Sequence, residues 1–240
     1  MRSLLIALAL FLCCLSGRTQ QVVDVGTNDF DATNHRGVVN NVMGQLYQPT
    51  KYVKVTAGSP FFKDQYLKAR LIDDQGDSYA SNSVRLNLLD NQINFLDAEG
   101  TERVTTTPMK AVLLTDSASG AQFMFVLGED LPKAERSLAK TWFQVLVNDT
   151  VSLCRQIKKS IHESIAYGTS TTDEDIVTAD LYFVQINGVF SRVKTWADLI
   201  LLFSDKKDPI DQYIRTHHLK GKSVEDYTQL VQFYNSIKNV

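Results

Sequence analysis

The stretch that decides the fold is residues 179–219, ADLYFVQINGVFSRVKTWADLILLFSDKKDPIDQYIRTHHL. Two apolar runs, residues 181–186 and 189–193, flank Asn187-Gly188. Both central positions of a tight hairpin turn need positive φ, which Asn and Gly tolerate, so the segment predicts a β-hairpin. Directly after it the apolar period changes from two to three or four, the spacing of a helix face. Strands are therefore expected before residue 195 and helices after it.

On the helical side, Thr195 is placed to cap a helix whose apolar body is Trp196, Leu199, Ile200, Leu202 and Phe203, with Asp198 at the capping-box position. Asp208-Pro209 reads as the N-cap and first residue of a second helix carrying Ile210, Tyr213 and Ile214 and ending near His217 and His218. Ser223 starts a third, whose stripe is Val224, Tyr227, Leu230, Val231, Tyr234 and Ile237, broadened by Phe233.

Upstream, alternating runs predict strands at residues 51–56, 66–72, 78–88, 92–96, 101–105, 110–115, 122–127, 142–147 and 151–157. Turn residues lie between them, at 73–77, 90–91, 97–100, 116–120 and 148–150. Residues 142–147 are apolar on both alternating faces, which fits a strand covered on both sides. In residues 21–47, Val22, Val23 and Val25 fit a short strand, a polar stretch follows, and residues 38–46 fit a strand or a short helix. Residues 167–178, rich in threonine and acids without a period, read as a loop. The expected class is α+β: a predominantly antiparallel β region (hairpin meander, sandwich or half-open barrel) over residues 21–194, followed by about three C-terminal helices over 195–240 packed on it.

The N-terminus has a basic start at Arg2, an unbroken apolar run at residues 4–15 and small residues at Ser16 and Gly17, the pattern of a secretory signal peptide over residues 1–20. Twelve apolar residues fall short of the ~20 that span a bilayer, and no later run is longer, so no transmembrane span is expected in the mature chain. Leu12, not a small residue, precedes Cys13-Cys14, which favours plain cleavage over a lipid anchor. Removing Arg2 and Arg18 leaves 23 basic against 27 acidic side chains, a formal charge of −4. That balance argues against nucleic acid as a partner. It also gives no basic handle for a membrane surface. Cys154 remains as the one cysteine after cleavage, so no intramolecular disulfide is expected and a buried thiol is the simplest reading.

No spacing points to catalysis. His35, His162, His217 and His218 form no His-Glu-x-x-His motif, and no zinc pattern is present. Asp29, Asp31 and Asn34 depart from the calcium loop, and residues 73–77 read as an ordinary Asp-Gly turn. Gly-x-Ser-x-Gly and the phosphate-binding glycine loops are absent. No catalytic residue, metal ligand or cofactor is assigned. Phe61, Phe62, Tyr66 and Tyr182 are the candidate binding aromatics, alongside Tyr79 and Phe183, with core filling as the simpler role. The first three are expected to plug one end of the sheet.

The blocks Gly58-Ser59-Pro60-Phe61-Phe62 with Tyr66-Leu67, and Val84-Arg85-Leu86-Asn87-Leu88, carry a resemblance. So do Tyr182-Phe183, Asn187-Gly188, Leu201-Leu202-Phe203, Lys206-Lys207, Tyr227, Phe233 and Tyr234-Asn235. With these the chain resembles a family of exported proteins from Bacteroidetes-type bacteria to which no activity is assigned. The resemblance implies a cell-envelope setting, periplasmic or outer-membrane-associated, and carries over no catalytic residue. The expected function is that of a non-enzymatic binding or structural domain, its partner an envelope protein or glycan. An envelope-polymer hydrolase and a carrier of small apolar ligands are the alternatives.

Overall fold

The structure is a computed structural model and describes residues 42–165 and 172–238. The signal-peptide reading, Cys13, Cys14, His35 and the Asp29, Asp31, Asn34 cluster lie outside the described residues.

Among the described residues twelve strands form one sheet. They are β1 (Gly44–Leu46), β2 (Val55–Ala57), β3 (Leu67–Asp73), β4 (Ser78–Asn87), β5 (Gln92–Leu96) and β6 (Glu102–Thr105). Next come β7 (Met109–Thr115), β8 (Gln122–Leu127), β9 (Trp142–Val147), β10 (Ser152–Ile165), β11 (Thr172–Ile186) and β12 (Val189–Val193). Three helices follow: α1 (Trp196–Leu202), α2 (Lys207–Thr216) and α3 (Val224–Lys238). The sheet order is β1-β6-β5-β4-β3-β7-β8-β9-β10-β11-β12, with β2 added in parallel to β11. All other pairings are antiparallel, and the sheet does not close into a barrel. The α+β class, β-rich with three terminal helices, is thus the observed one.

Two meanders share this sheet. One runs from β3 out to β6, the other from β7 out to β12, and they join where β3 pairs with β7. Residues 106–108 alone connect β6 to β7. Four strand spacings in a flat sheet would be ~19 Å, more than the ~14 Å that so short a link can span. The first meander must therefore curl, and its concave face encloses Leu71, Val84, Leu86, Ile93, Val112 and Phe125. The second meander is covered on both faces. The three helices lie on one, over Val147, Leu153, Val184 and Val193. The connector between β8 and β9 lies on the other, where Leu131 and Leu138 pack on Phe143, Cys154, Phe183 and Phe190.

The turn chemistry is as the sequence predicts. Asn187 and Gly188 take φ values of 52° and 70°. Asp73 Oδ1 accepts from the amides of Gln75 (3.0 Å) and Asp77 (2.8 Å), a self-capped turn rather than a metal loop. Thr195 and Asp198 form the full capping box of α1. Thr195 and Ser223 both cap as expected, since Asp226 N donates to Ser223 Oγ at 3.1 Å.

Three boundaries differ from expectation. Of the strand expected over residues 51–56, the first two residues belong to a 3-10 turn, Pro49–Tyr52, and only Val55–Ala57 is extended. The fixed φ of proline suits a helical first position, and Tyr52 is held away from the sheet's edge by Asp90. Residues 172–178, read as loop, are strand, and β10 continues to Ile165 instead of stopping near residue 157. β10 and β11 pair in unbroken register from Ser152↔Gln185 to Ile165↔Thr172. Ile157, Ile161 and Ile165 recur at every fourth position on one face of β10, with Lys159 and Glu163 between them, and cross-strand pairing overrides the weak period of the acidic, threonine-rich return. Finally, α2 begins at Lys207, after a 3-10 turn at Ser204–Lys206. Pro209 thus sits at the third helical position, where its missing N–H still forfeits no helical bond.

α2 ends in a Schellman motif. His218 N donates to Arg215 O (3.4 Å), Leu219 N to Ile214 O (3.1 Å), and His218 takes φ of 54°. A non-glycine residue in this conformation is strained, so His218→Gly is expected to stabilise the protein by about 0.5–1 kcal/mol, read as a rise in the denaturation midpoint.

Candidate functional site

β4 alternates cleanly at its end. Val84 and Leu86 turn into the curled core, and Arg85 and Asn87 turn to the opposite face. On β5, Ile93 and Phe95 turn inward while Gln92 and Asn94 turn outward. The outward residues are not left to solvent: Asn87 and Asn94 are fully buried. Tyr52, Phe61 and Tyr66, from the segment that precedes β3, cover it, while Val55–Ala57 of the same segment pairs with β11.

Asn87 organises the cover. Its Oδ1 accepts from the amides of Leu89 (3.1 Å) and Asp90 (3.0 Å), shaping the turn into β5. Its Nδ2 donates to Tyr52 Oη (3.1 Å) and to Asp90 Oδ2 (3.3 Å). Tyr52 in turn donates to Asp90 Oδ2. Burial, and then the hydrogen bond to the Asp90 carboxylate, push the Tyr52 hydroxyl well above its usual range, so it stays protonated and donates. Asn87 thus spans 35 positions of sequence with a single side chain.

Beside it Arg85 is sandwiched. Its guanidinium lies 3.8 Å from the Phe61 ring centre and 4.5 Å from that of Tyr66. Arg85 Nη2 meets Glu102 Oε1 at 2.6 Å, and Asn94 Nδ2 donates to the same oxygen at 3.0 Å. Arg85 Nε and Asn94 Oδ1, on directly paired residues, are buried without a partner among the described residues.

A pocket of about 540 Å³ opens next to this cluster. Gln45, Gln92 and Val104 come from β1, β5 and β6, while Tyr47, Gln48, Tyr52 and Asp90 come from the covering segment and the β4–β5 turn. Its polar groups are amides, phenols and one carboxylate, which together both donate and accept. Among the described residues the lining holds no histidine, lysine or arginine.

Phe61 and Tyr66 lie against the Arg85 guanidinium, while Phe62 turns to the curled core. Phe61 is buried under Arg85, and Phe62 packs edge-on against Phe123 and Phe125, both at 5.0 Å. Tyr182 is elsewhere: it stacks on Tyr227 at 3.9 Å beneath the helices, where burial first and Asp180 second push its hydroxyl up to about 12. Cys154 lies under Phe143 and Phe183, and burial raises its thiol to about 12, which leaves it protonated and unreactive at neutral pH. Among the described residues no group of three or more His, Cys, Asp or Glu side chains could hold a metal ion. Nor is any helix among them long and apolar enough to cross a membrane.

The pocket's own residues, Gln45, Tyr47, Tyr52, Asp90 and Gln92, carry no motif. The signal in the sequence was Asn87-x-x-Asp90, an Asn followed by a turn, and the outward Arg85 and Asn94 on strands whose other residues are core. No family model, no curated protein and no solved structure matches the chain.

Proposed function

We propose that the chain is an exported, non-enzymatic binding protein of the cell envelope whose pocket at Tyr52 and Asp90 takes a neutral, hydroxyl-rich ligand, a saccharide. The observation that carries this reading is the pocket of about 540 Å³ with Gln45, Gln48, Gln92, Tyr47, Tyr52 and Asp90 in its lining. Its volume is in the range of small-molecule sites. A sugar hydroxyl donates and accepts at once, and so do glutamine amides and tyrosine phenols. Among the described lining residues the Asp90 carboxylate faces no cation, which disfavours phosphates and other anions.

The same lining bears on the alternatives. Hydrolysis of a glycosidic bond ordinarily uses two carboxylates flanking the bond, and among the described residues the lining supplies one, Asp90. An apolar carrier needs an apolar cavity, whereas the concave face of the curled meander is filled by Leu71, Val84, Leu86, Val112 and Phe125, each at most 1% exposed. Export rests on the signal-peptide pattern of residues 1–20.

The test is saturation-transfer NMR and calorimetry on residues 21–240 with neutral mono- and oligosaccharides. Binding is expected, and the double variant Gln45→Ala, Gln92→Ala is expected to weaken it about tenfold or more while the protein stays folded. Failure of every saccharide to bind the folded protein would remove the reading.

A further inference from the structure

The hairpin of β10 and β11 outruns the sheet. β9 is in register with Leu153, Cys154 and Arg155 of β10 and no further. From Gln156 to Ile165, β10 pairs with β11 on one side, and its other edge has no strand beside it among the described residues. Among the described residues the backbone N–H and C=O groups of alternate residues along that edge therefore have no strand partner, from the buried Ile157 out to the exposed Ile165.

One face of this edge reads Ile157, Lys159, Ile161, Glu163, Ile165. Ile161 is 37% and Ile165 66% exposed. The order Ile-Lys-Ile-Glu-Ile is self-complementary when reversed. A two-fold axis through Ile161 sets Ile161 beside Ile161 of a second copy, Lys159 beside Glu163 twice over, and Ile157 beside Ile165 twice over. Residues directly opposed in an antiparallel pair share a face, so only registers with an axis on a residue keep this face together. Centring on Ser160 opposes Lys159 to Ile161 and Ile157 to Glu163. Centring on His162 opposes Ile161 to Glu163. Neither forms an ion pair on this face, and the Ile161 register forms two.

Two features of the single chain fit this register. Glu163 is directly opposite Glu174 of β11, a like-charge pair that disfavours the hairpin on its own. Lys159 of a second copy would lie beside Glu163 and offset it. A cleft of about 150 Å³, with Leu88, Leu89, Trp142 and Ile157 in its lining, opens where β9 and β10 diverge. The Ile161 register brings the exposed Ile165 of the second copy to Ile157, at that cleft.

The geometry points to a homodimer formed by antiparallel pairing of the β10 edges about Ile161, which would join two sheets into one. This stands apart from the saccharide pocket, which lies on β1, β5 and β6.

Sedimentation velocity of residues 21–240 across a concentration series tests it. A monomer–dimer equilibrium is expected. Glu163→Lys is expected to weaken it about tenfold or more, because two attractive cross-strand pairs become repulsive. That variant also removes the Glu163–Glu174 opposition, so its thermal midpoint should not fall, and loss of the dimer will not reflect unfolding. Ile161→Lys, which puts like charges on the axis, should abolish the dimer. The charge-swapped double variant Lys159→Glu, Glu163→Lys should restore it. A wild-type chain that stays monomeric throughout, a dimer indifferent to Glu163→Lys, or a swap that fails to restore pairing would each overturn the proposal.

Discussion

Asn235→Leu is expected to cost about 3–5 kcal/mol of folding stability, read as a large drop in the urea midpoint at nearly unchanged slope. The reason is a pair of hydrogen bonds that no other group can replace. Asn235 on α3 accepts from Val151 N at 2.9 Å through Oδ1 and donates to Val151 O at 2.8 Å through Nδ2. Val151 sits just before β10, where the ladder has not yet begun, and it is fully buried. The Asn235 amide therefore does for Val151 what a neighbouring strand would do. Leucine matches its size but leaves a buried N–H and a buried C=O without partners, each at ~1–3 kcal/mol. With a domain's total of ~5–15 kcal/mol, this is about a fifth or more of what holds the fold. The neighbouring Ser236→Ala, on the exposed side of the same helix, is expected to change stability by less than about 0.5 kcal/mol. If both variants unfold at the same urea concentration, the Asn235 amide is not the anchor that the geometry makes it.

That anchor also explains why α3 docks where it does. Leu230, Val231 and Tyr234 fill the face over Val147, Leu153 and Val184, and the Phe203 and Tyr234 rings stack at 4.0 Å. Apolar burial alone would let the helix slide or rotate on a sheet, because the hydrophobic effect is not directional. The Asn235–Val151 pair and the Tyr234 hydroxyl on the Asp205 carboxylate (3.1 Å) fix its register.

How much of this was legible in the sequence follows from the range of the signals. Asn187-Gly188 and Thr195 with Asp198 act within four residues, and the structure places them as read. The apolar stripe of α3 acts over a few turns and is likewise as read, with Tyr227, Leu230, Val231 and Tyr234 all buried. The long β10–β11 hairpin was missed because its return strand, Thr-Asp-Glu-Asp from Thr172, has no apolar alternation; its partner strand supplies the order. The joining of β3 to β7 was equally invisible, since it pairs residues some 40 positions apart with no local mark.

The candidate site was the least legible part, for the same reason. Gln45 and Tyr52 are single polar residues far in sequence from Asn87, Asp90 and Gln92, and apart from Asn87-x-x-Asp90 no spacing among them makes a recognisable pattern. Aromatic content drew attention to Phe61, Phe62 and Tyr66, which hold the cover down. The groups that face the pocket are those that the cover positions. Asn87 is the exception that could be reasoned toward. A buried-strand asparagine two and three residues ahead of a turn is the arrangement in which a side-chain amide caps the turn.

Asn87→Ala is accordingly the second large effect expected. It would leave the amides of Leu89 and Asp90 without their acceptor and Tyr52 Oη without its donor, in a region where Asn87 itself is fully buried. A loss of about 3–4 kcal/mol is expected, together with loss of saccharide binding, because Tyr52 and Asp90 lose their common tether. Asn87→Asp separates the two halves of this role. It keeps the oxygen that caps Leu89 and Asp90 but replaces the donor with a second carboxylate facing Asp90. Two carboxylates in contact, one of them at a fully buried position, raise the pKa of at least one of them above its value in the unfolded chain. A raised pKa makes the variant's stability greatest below the unfolded value and progressively lower as pH rises through the folded one. Asn87→Asp should therefore lie closer to the wild type near pH 4 than at pH 7, while Asn87→Ala should show the same deficit at both. Chemical denaturation at the two pH values reads the difference directly, and a pH-independent deficit for Asn87→Asp would mean that residue 87 does not face Asp90 in the folded protein.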